Sequence, residues 1–366
     1  MENVFFIEMV LKNRARVMHQ LLHDPASTRA RSRSETVLTL TDVARLSATP
    51  MGLESFSPLR DHNYLLLDIS GAQAVQGWIG LEALVSQLRL LPCPVIGVGT
   101  TASSRLLHGL DVLVPDLPSV AAMTTNIDAH PLAAMTLVQL LRHNQEATSG
   151  QGLFAESLAY ASLQQGVEHK QVMQSYNRAT AVQSKIDRPI VIERNNDELS
   201  ITLNRPNARN AYSTAMRDSL YEALLLLKAD YSLHRAVIRG EGSCFSIGGD
   251  LSEFGQVSDP STAHAVRSSQ SVSQLLLEQS ARLEFRLHSA CIGAGIELPA
   301  FASRVIATQN TFMQLPEITL GLLPGAGGTV SILERIGRQR TAYLALSARR
   351  INAATALEWG LIDEII

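Results

Sequence analysis

Three glycine-rich segments and two glutamates in the second half of this 366-residue chain could do chemistry at a carbonyl. Phe245-Ser246-Ile247-Gly248-Gly249-Asp250 comes first, and Gly293-Ala294-Gly295-Ile296-Glu297 follows. Pro316-Glu317 then precedes Gly325-Ala326-Gly327-Gly328. Gly248-Gly249-Asp250 and Gly293-Ala294-Gly295 can each aim a backbone N–H at one point, because small residues do not obstruct close approach. Two carboxylates can grip a water and pass a proton. No metal-ligand pattern accompanies them. The set suits a thioester carbonyl whose oxygen gains negative charge as an enolate forms.

Such residues must be carried by strands that end in turns. Residues 190–193 and 199–203 read as a hairpin around a polar turn at 194–197. Ser213 can cap a helix in which Met216, Leu220, Ala223, Leu224 and Leu227 recur at helical spacing, ending near Asp230. Residues 236–238 read as a short buried strand, 240–249 as a glycine-punctuated loop and 262–287 as a polar helical stretch. Residues 290–292 predict a strand that turns at Gly293 into a helix. Glu297 then falls in the first turn, where an acid is stabilised by the positive end of the helix dipole. Repeated strand–loop–helix units of this kind predict a helix-covered α/β core.

In this order and at nearly this spacing, the segments resemble the crotonase (enoyl-CoA hydratase/isomerase) superfamily, from about Pro189 to Ile366. The resemblance implies an α/β, crotonase-like (ClpP/crotonase) fold, a repeated ββα core with covering helices. It implies that the amides of Gly249 and Ala294 hold the thioester oxygen, alanine standing where glycine is commoner. It makes Glu297 and Glu317 the catalytic glutamates and has Gly325 offer an amide near the bound water. Acyl-CoA contacts are implied at Ala208, Ile247, Gly249, Asp250, Leu251, Ser252 and Ala294. Ser252 stands where relatives often carry a phosphate-reaching lysine, which leaves the phosphates to other residues such as Arg209 or an arginine of the N-terminal half. No lysine follows the Gly325–Gly328 run, which rules out a nucleotide P-loop. His288 reads as a satisfied core histidine rather than a base. Retention of both glutamates favours hydration of a 2-enoyl-CoA. Double-bond isomerisation, acyl-CoA hydrolysis and non-catalytic acyl-CoA binding or assembly remain the alternatives.

The N-terminal half repeats the grammar in worn form. Residues 64–69, 91–98 and 111–114 read as strands. Gly99-Thr100-Thr101-Ala102-Ser103-Ser104 occupies the place of the glycine turn, without a glutamate or second glycine. This suggests a degenerate crotonase-like extension over 1–188, followed by a catalytic domain over 189–366 that lacks the family's usual C-terminal helices. Residues 129–143 and 152–165 read as amphipathic helices. Residues 178–188 read as a polar linker, ended by Pro189, which disfavours helix at Arg188.

Composition sets the outer bounds. Hydrophobic residues make up 46% and charged residues 18%, enough apolar content for sizeable cores and too much for wholesale disorder. The net charge of −3 gives no global basic field for nucleic acid. The local basic stretch from Lys12 to Arg33 is interrupted by acids and reads as a solvated segment. The longest apolar runs, at 223–227 and 64–67, are far below the ~18 residues of a membrane span. Cys93, Cys244 and Cys291 form neither a disulfide framework nor a zinc pattern, which fits a reducing cytoplasm. The expectation is therefore a cytoplasmic homo-oligomer, a trimer or hexamer, acting on an acyl-CoA thioester. It involves no metal or other cofactor, no nucleic acid and no membrane.

Overall fold

The computed structural model describes residues 36–48, 52–70, 80–100, 104–175, 188–255 and 259–366. The basic stretch from Lys12 to Arg33, Thr101 to Ser103, and all of the expected linker except Arg188 lie outside the described residues. Among the described residues the N-terminal half runs through β1 (Val37–Thr39), α1 (Leu40–Ser47), β2 (Leu65–Asp68), α2 (Leu81–Leu90), β3 (Val95–Val98), α3 (Ser104–Leu107) and β4 (Val112–Val114). The four strands lie parallel in the order β1-β2-β3-β4. Side chains alternate across a strand, so each face meets a different core. Leu65, Leu67 and Val95 pack with Val43, Leu84 and Leu88 of α1 and α2. Leu66, Ile96, Val112 and Val114 face the other way, into the main core.

Four helices follow: α4 (Ala121–Ala129), α5 (Pro131–Asn144), α6 (Ser149–Gln164) and α7 (Val167–Ser175). Pro131 at the first position of α5 suits a site where the N–H has no helical acceptor. A capping box between Thr148 and Gln151 starts α6.

The C-terminal half begins with the hairpin β5 (Ile190–Asn195) and β6 (Glu198–Leu203), then α8 (Thr214–Ala229), capped by Ser213. β7 (Arg235–Gly240), α9 (Pro260–Ser269), α10 (Val272–Gln279), β8 (Leu283–Leu287), β9 (Ala290–Ile292) and α11 (Ala294–Glu297) come next. β10 (Arg304–Ala307), β11 (Phe312–Gln314), α12 (Gly328–Ser347), β12 (Ile351–Asn352), α13 (Ala353–Trp359) and β13 (Glu364–Ile365) complete the chain. One sheet runs β13-β10-β8-β7-β6-β5, antiparallel only at β5; a second runs β12-β11-β9. The single helical stretch expected over 262–287 is corrected. It is two helices followed by the central strand β8, where Leu283, Phe285 and Leu287 alternate into the core.

One apolar cluster runs through both halves, joining Leu66, Ile96, Leu137 and Leu141 to Phe301, Ile332 and Leu344. Among the described residues no helix is long and apolar enough to cross a membrane.

Candidate active site

The two donor loops meet through their glycines. Gly248 (φ +82°) and Gly293 (φ +52°) both adopt backbone conformations that side chains disfavour. A β-carbon on Gly248 would lie 2.6 Å from the carbonyl oxygen of Ile292 and 3.5 Å from the Cα of Gly293. Any larger residue there would push the loops apart. Ser246 helps zip them together: its N–H donates to Ala290 O, and its carbonyl accepts from Ile292 N. Among the described residues, the amides of Gly249 and Ala294 donate to no protein acceptor. These are the two amides that the motif pattern selects.

The carboxylates converge on this place. Glu297, on α11, is 2% exposed, and its Oε2 accepts from the amides of Ala326 (2.7 Å) and Gly328 (3.0 Å). Glu317 follows β11 in a single turn of 3₁₀ helix. Its Oε1 fills the space a β-carbon on Gly293 would need. The residue as a whole is half-buried, yet Oε2 is closed to solvent and has no hydrogen-bond partner.

A third carboxylate arrives from the N-terminal half, one that the motif reading passed over. Glu156, on α6, is 2% exposed and accepts from the amides of Gly327 (2.8 Å) and Thr329 (3.1 Å) and from the Thr329 hydroxyl (2.7 Å). Arg267 of α9 lies 3.6 Å from it, donates to the carbonyl of Gly325 and sits over the Tyr160 ring at 4.3 Å. Tyr160, one turn beyond Glu156 on α6, packs directly against Gly325. Within this turn the amides of Ala326 and Gly328 bond Glu297 and Gly325 turns its carbonyl to Arg267, while among the described residues the Gly325 amide donates to no protein acceptor. The helix expected over 152–165 is present as α6 but is not amphipathic, since Phe154 and Leu158 are exposed while Glu156 and Ser157 are buried, and a lone glutamate in such a helix carries no sequence signal of this role.

Three buried carboxyls so close together resist ionisation. Burial holds Glu297 well above the ordinary carboxylate range, and the charges of Glu317 and Glu156 add to the effect against the two amides. Burial pushes Glu317 up to about 8, with a further contribution from Glu156. Burial also raises Glu156, opposed first by Arg267. The three titrate as a coupled set rather than singly.

Apart from Ala294 at the start of α11, the expected acyl-CoA contacts fall on two strips laid side by side. Ile247 N donates to Arg209 O, Tyr212 N to Gly248 O and Asp250 N to Tyr212 O. Asn210 seals the pairing with bonds to the carbonyls of Glu241, Cys244 and Phe245. Ala208 belongs to the first strip, and Ile247, Gly249, Asp250, Leu251 and Ser252 to the second. Asp250 is already engaged, accepting from Arg205 (3.0 Å) and from the Ser252 hydroxyl (2.6 Å). Phe254 leans over Gly249, its ring 2.8 Å from where a β-carbon would stand. His288 is not a core residue: it is partly exposed and bonds Gly242 O at 3.1 Å, because it sits on the β8–β9 turn. Cys291 is fully buried on β9.

Residues 193–366 match the family described as enoyl-CoA hydratase/isomerase. The chain is 33% identical over 179 residues to the 2,3-dehydroadipyl-CoA hydratase of Escherichia coli K12, covering 48% of this chain and 68% of that protein. The chain belongs to the enoyl-CoA hydratase/isomerase family, the crotonase superfamily. It is also 34% identical over 178 residues to an enoyl-CoA isomerase/hydratase of Mycosarcoma maydis, covering 45% of this chain and 64% of that one. The crystal structure of an enoyl-CoA hydratase from Thermoplasma volcanium matches with 31% identity and a TM-score of 0.45, over 49% of this chain and 71% of that one. The chain thus spans about two thirds of the length of the curated relatives it matches. Its fold is the α/β crotonase fold. Within the family region lie Gly249, Ala294, Glu297 and Glu317; Glu156 and Tyr160 lie outside it.

Proposed function

We propose that this chain is an enoyl-CoA hydratase, adding water across the double bond of a 2-enoyl-CoA. The amides of Gly249 and Ala294 hold the thioester oxygen as it gains charge. A water gripped by Glu297 and Glu317 attacks Cβ. One carboxylate takes a proton from that water while the other, protonated, delivers a proton to Cα, so that the elements of water add to one face. Coenzyme A enters as part of the substrate, and no metal or redox cofactor takes part in these steps. Residues 1–188 serve as structural cover rather than as a second catalytic unit.

The observation that carries the reading is Glu317. Its carboxyl abuts Gly293, next to the unengaged amide of Ala294, and one oxygen is buried and uncommitted. The same observation supports a second reading. Glu297 is already tied to two amides through Oε2, which favours an isomerase in which Glu317 alone shuttles the proton. Incubation with enoyl-CoAs of several chain lengths, following loss of the enoyl-thioester absorbance, tests the first reading. Folded protein that turns over none of them would sink it, and double-bond migration without water addition would establish the second.

A further inference from the structure

We propose that Glu156, contributed by the N-terminal half, is a positioning residue of the active site. It holds the turn at residues 326–329, and through that turn Glu297, in the geometry of the proposed reaction, on which this inference rests. The first amides of a helix have no acceptor within it. Here the amides leading into α12 are shared alternately by two carboxylates: Ala326 and Gly328 bond Glu297, and Gly327 and Thr329 bond Glu156. Any movement of the turn therefore shifts the anchors of Glu297. A β-carbon on Gly328 would lie 2.6 Å from Glu297 Cγ, so the carboxylate arm is fitted to this turn with little slack.

Glu156 itself cannot drift. Gly152, one turn earlier on α6, packs so closely that a β-carbon there would be 2.8 Å from Val330 and 3.2 Å from Asn144. Asn144 of α5 in turn donates to Thr329 O and Oγ1. Arg267 braces the opposite side, reaching both Glu156 and the carbonyl of Gly325. A simple helix cap would need only a serine, threonine, aspartate or asparagine. A buried carboxylate costs far more to desolvate. Its negative charge also acts on Glu297 and Glu317, the pair assigned to the proton transfers.

The test uses the full chain with Glu156→Gln and, separately, Thr329→Val, which removes the hydroxyl's bond to Glu156 and the one it accepts from Asn144 without altering the carboxylate. Turnover is measured across pH with an enoyl-CoA, and the glutamate carboxyls are titrated by ¹³C NMR. Glu156→Gln keeps one acceptor for Gly327, so kcat should fall by about tenfold or more, towards the roughly hundredfold cost of misplacing a reacting group. KM should change little. The Glu297 and Glu317 resonances, and the pH profile of kcat, should move to lower pH because a neighbouring negative charge is gone. Thr329→Val should lower kcat less and leave the titrations near their wild-type positions. A folded Glu156→Gln protein with wild-type kcat and unmoved titrations would reduce Glu156 to a structural cap and overturn the proposal. If the wild-type protein acts on no enoyl-CoA, the hydratase reading fails, and the carboxyl titrations then decide this one. Should Glu156→Gln not fold, wild-type kcat in Thr329→Val would count against it.

Discussion

Arg338 of α12 and Asp111 before β4 form an ion pair of 2.7 Å with both side chains 1% exposed, although one belongs to each half of the chain. Asp111 also accepts from Arg142 and from the amide of Val95, and Arg338 donates to His108 O and Gln145. Removing one partner from such a network leaves the others buried and uncompensated. Asp111→Ala should therefore lower the unfolding free energy by about 3–5 kcal/mol. Urea denaturation checks this; a loss within the range of surface substitutions would show that the network is not buried in solution.

The same junction predicts how the halves behave when separated. An apolar cluster is shared between them, and cutting it exposes a large apolar patch, which favours aggregation. The fragment 189–366 should be poorly soluble or weakly active, and adding 1–188 separately should restore part of the activity. Size-exclusion chromatography with an activity assay reads the outcome. A monodisperse, fully active 189–366 fragment would make the N-terminal half an independent module.

Glutamine substitutions separate hydration from isomerisation. Glu317→Gln should lower kcat at least about a hundredfold with little change in KM, the low end for a positioned acid–base group. Glu297→Gln should be nearly as damaging in a hydratase, whereas an isomerase working through Glu317 should keep much of its rate. Near-wild-type turnover in Glu317→Gln would remove that residue from the mechanism.

Ala294 tests the backbone donor. It opens α11, a position at which proline is tolerated, and Ala294→Pro deletes the amide hydrogen and places the ring Cδ where it stood. Losing one oxyanion donor costs ~3–4 kcal/mol of transition-state stabilisation, about two to three decades in kcat. Circular dichroism must show a native fold, and full activity in such a variant would place the donor elsewhere.

Stability should decline as pH rises. A carboxyl whose folded pKa lies above its unfolded one binds more protons folded than unfolded between the two values, so its contribution is lost across that window. For Glu317 the window runs from 4.5 to about 8, and stability should fall by up to about 1.4 kcal/mol per pH unit as one proton's share. Glu317→Gln should flatten this slope. Unchanged pH dependence of the melting temperature would mean that the carboxyl is solvated.

Much of the second half could be read directly from the chain. The hairpin at β5 and β6, the Ser213 cap, the short strands β7 and β9 and the glycine turn at 293 all depend on local geometry, which residue type and spacing specify. Gly249, Ala294, Glu297 and Glu317 could be named as candidates because the segments that hold them resemble the family's motifs in order and spacing. The β8 strand was not legible, because five residues of alternating pattern after two helices gain their identity only by pairing with β7 and β10.

Glu156 marks the boundary of what local pattern can show. On the sequence it is one acid in a helix, and nothing in its neighbours distinguishes it from a solvated one. Only the packing of α6 against α12 brings its carboxylate to Gly327 and Thr329, 171 and 173 residues away. Residue type, spacing and family resemblance name two candidate amides and two candidate glutamates. Tertiary structure decided that a third carboxylate joins them, because burial and long-range contact, not residue type, set its partners and raise its pKa.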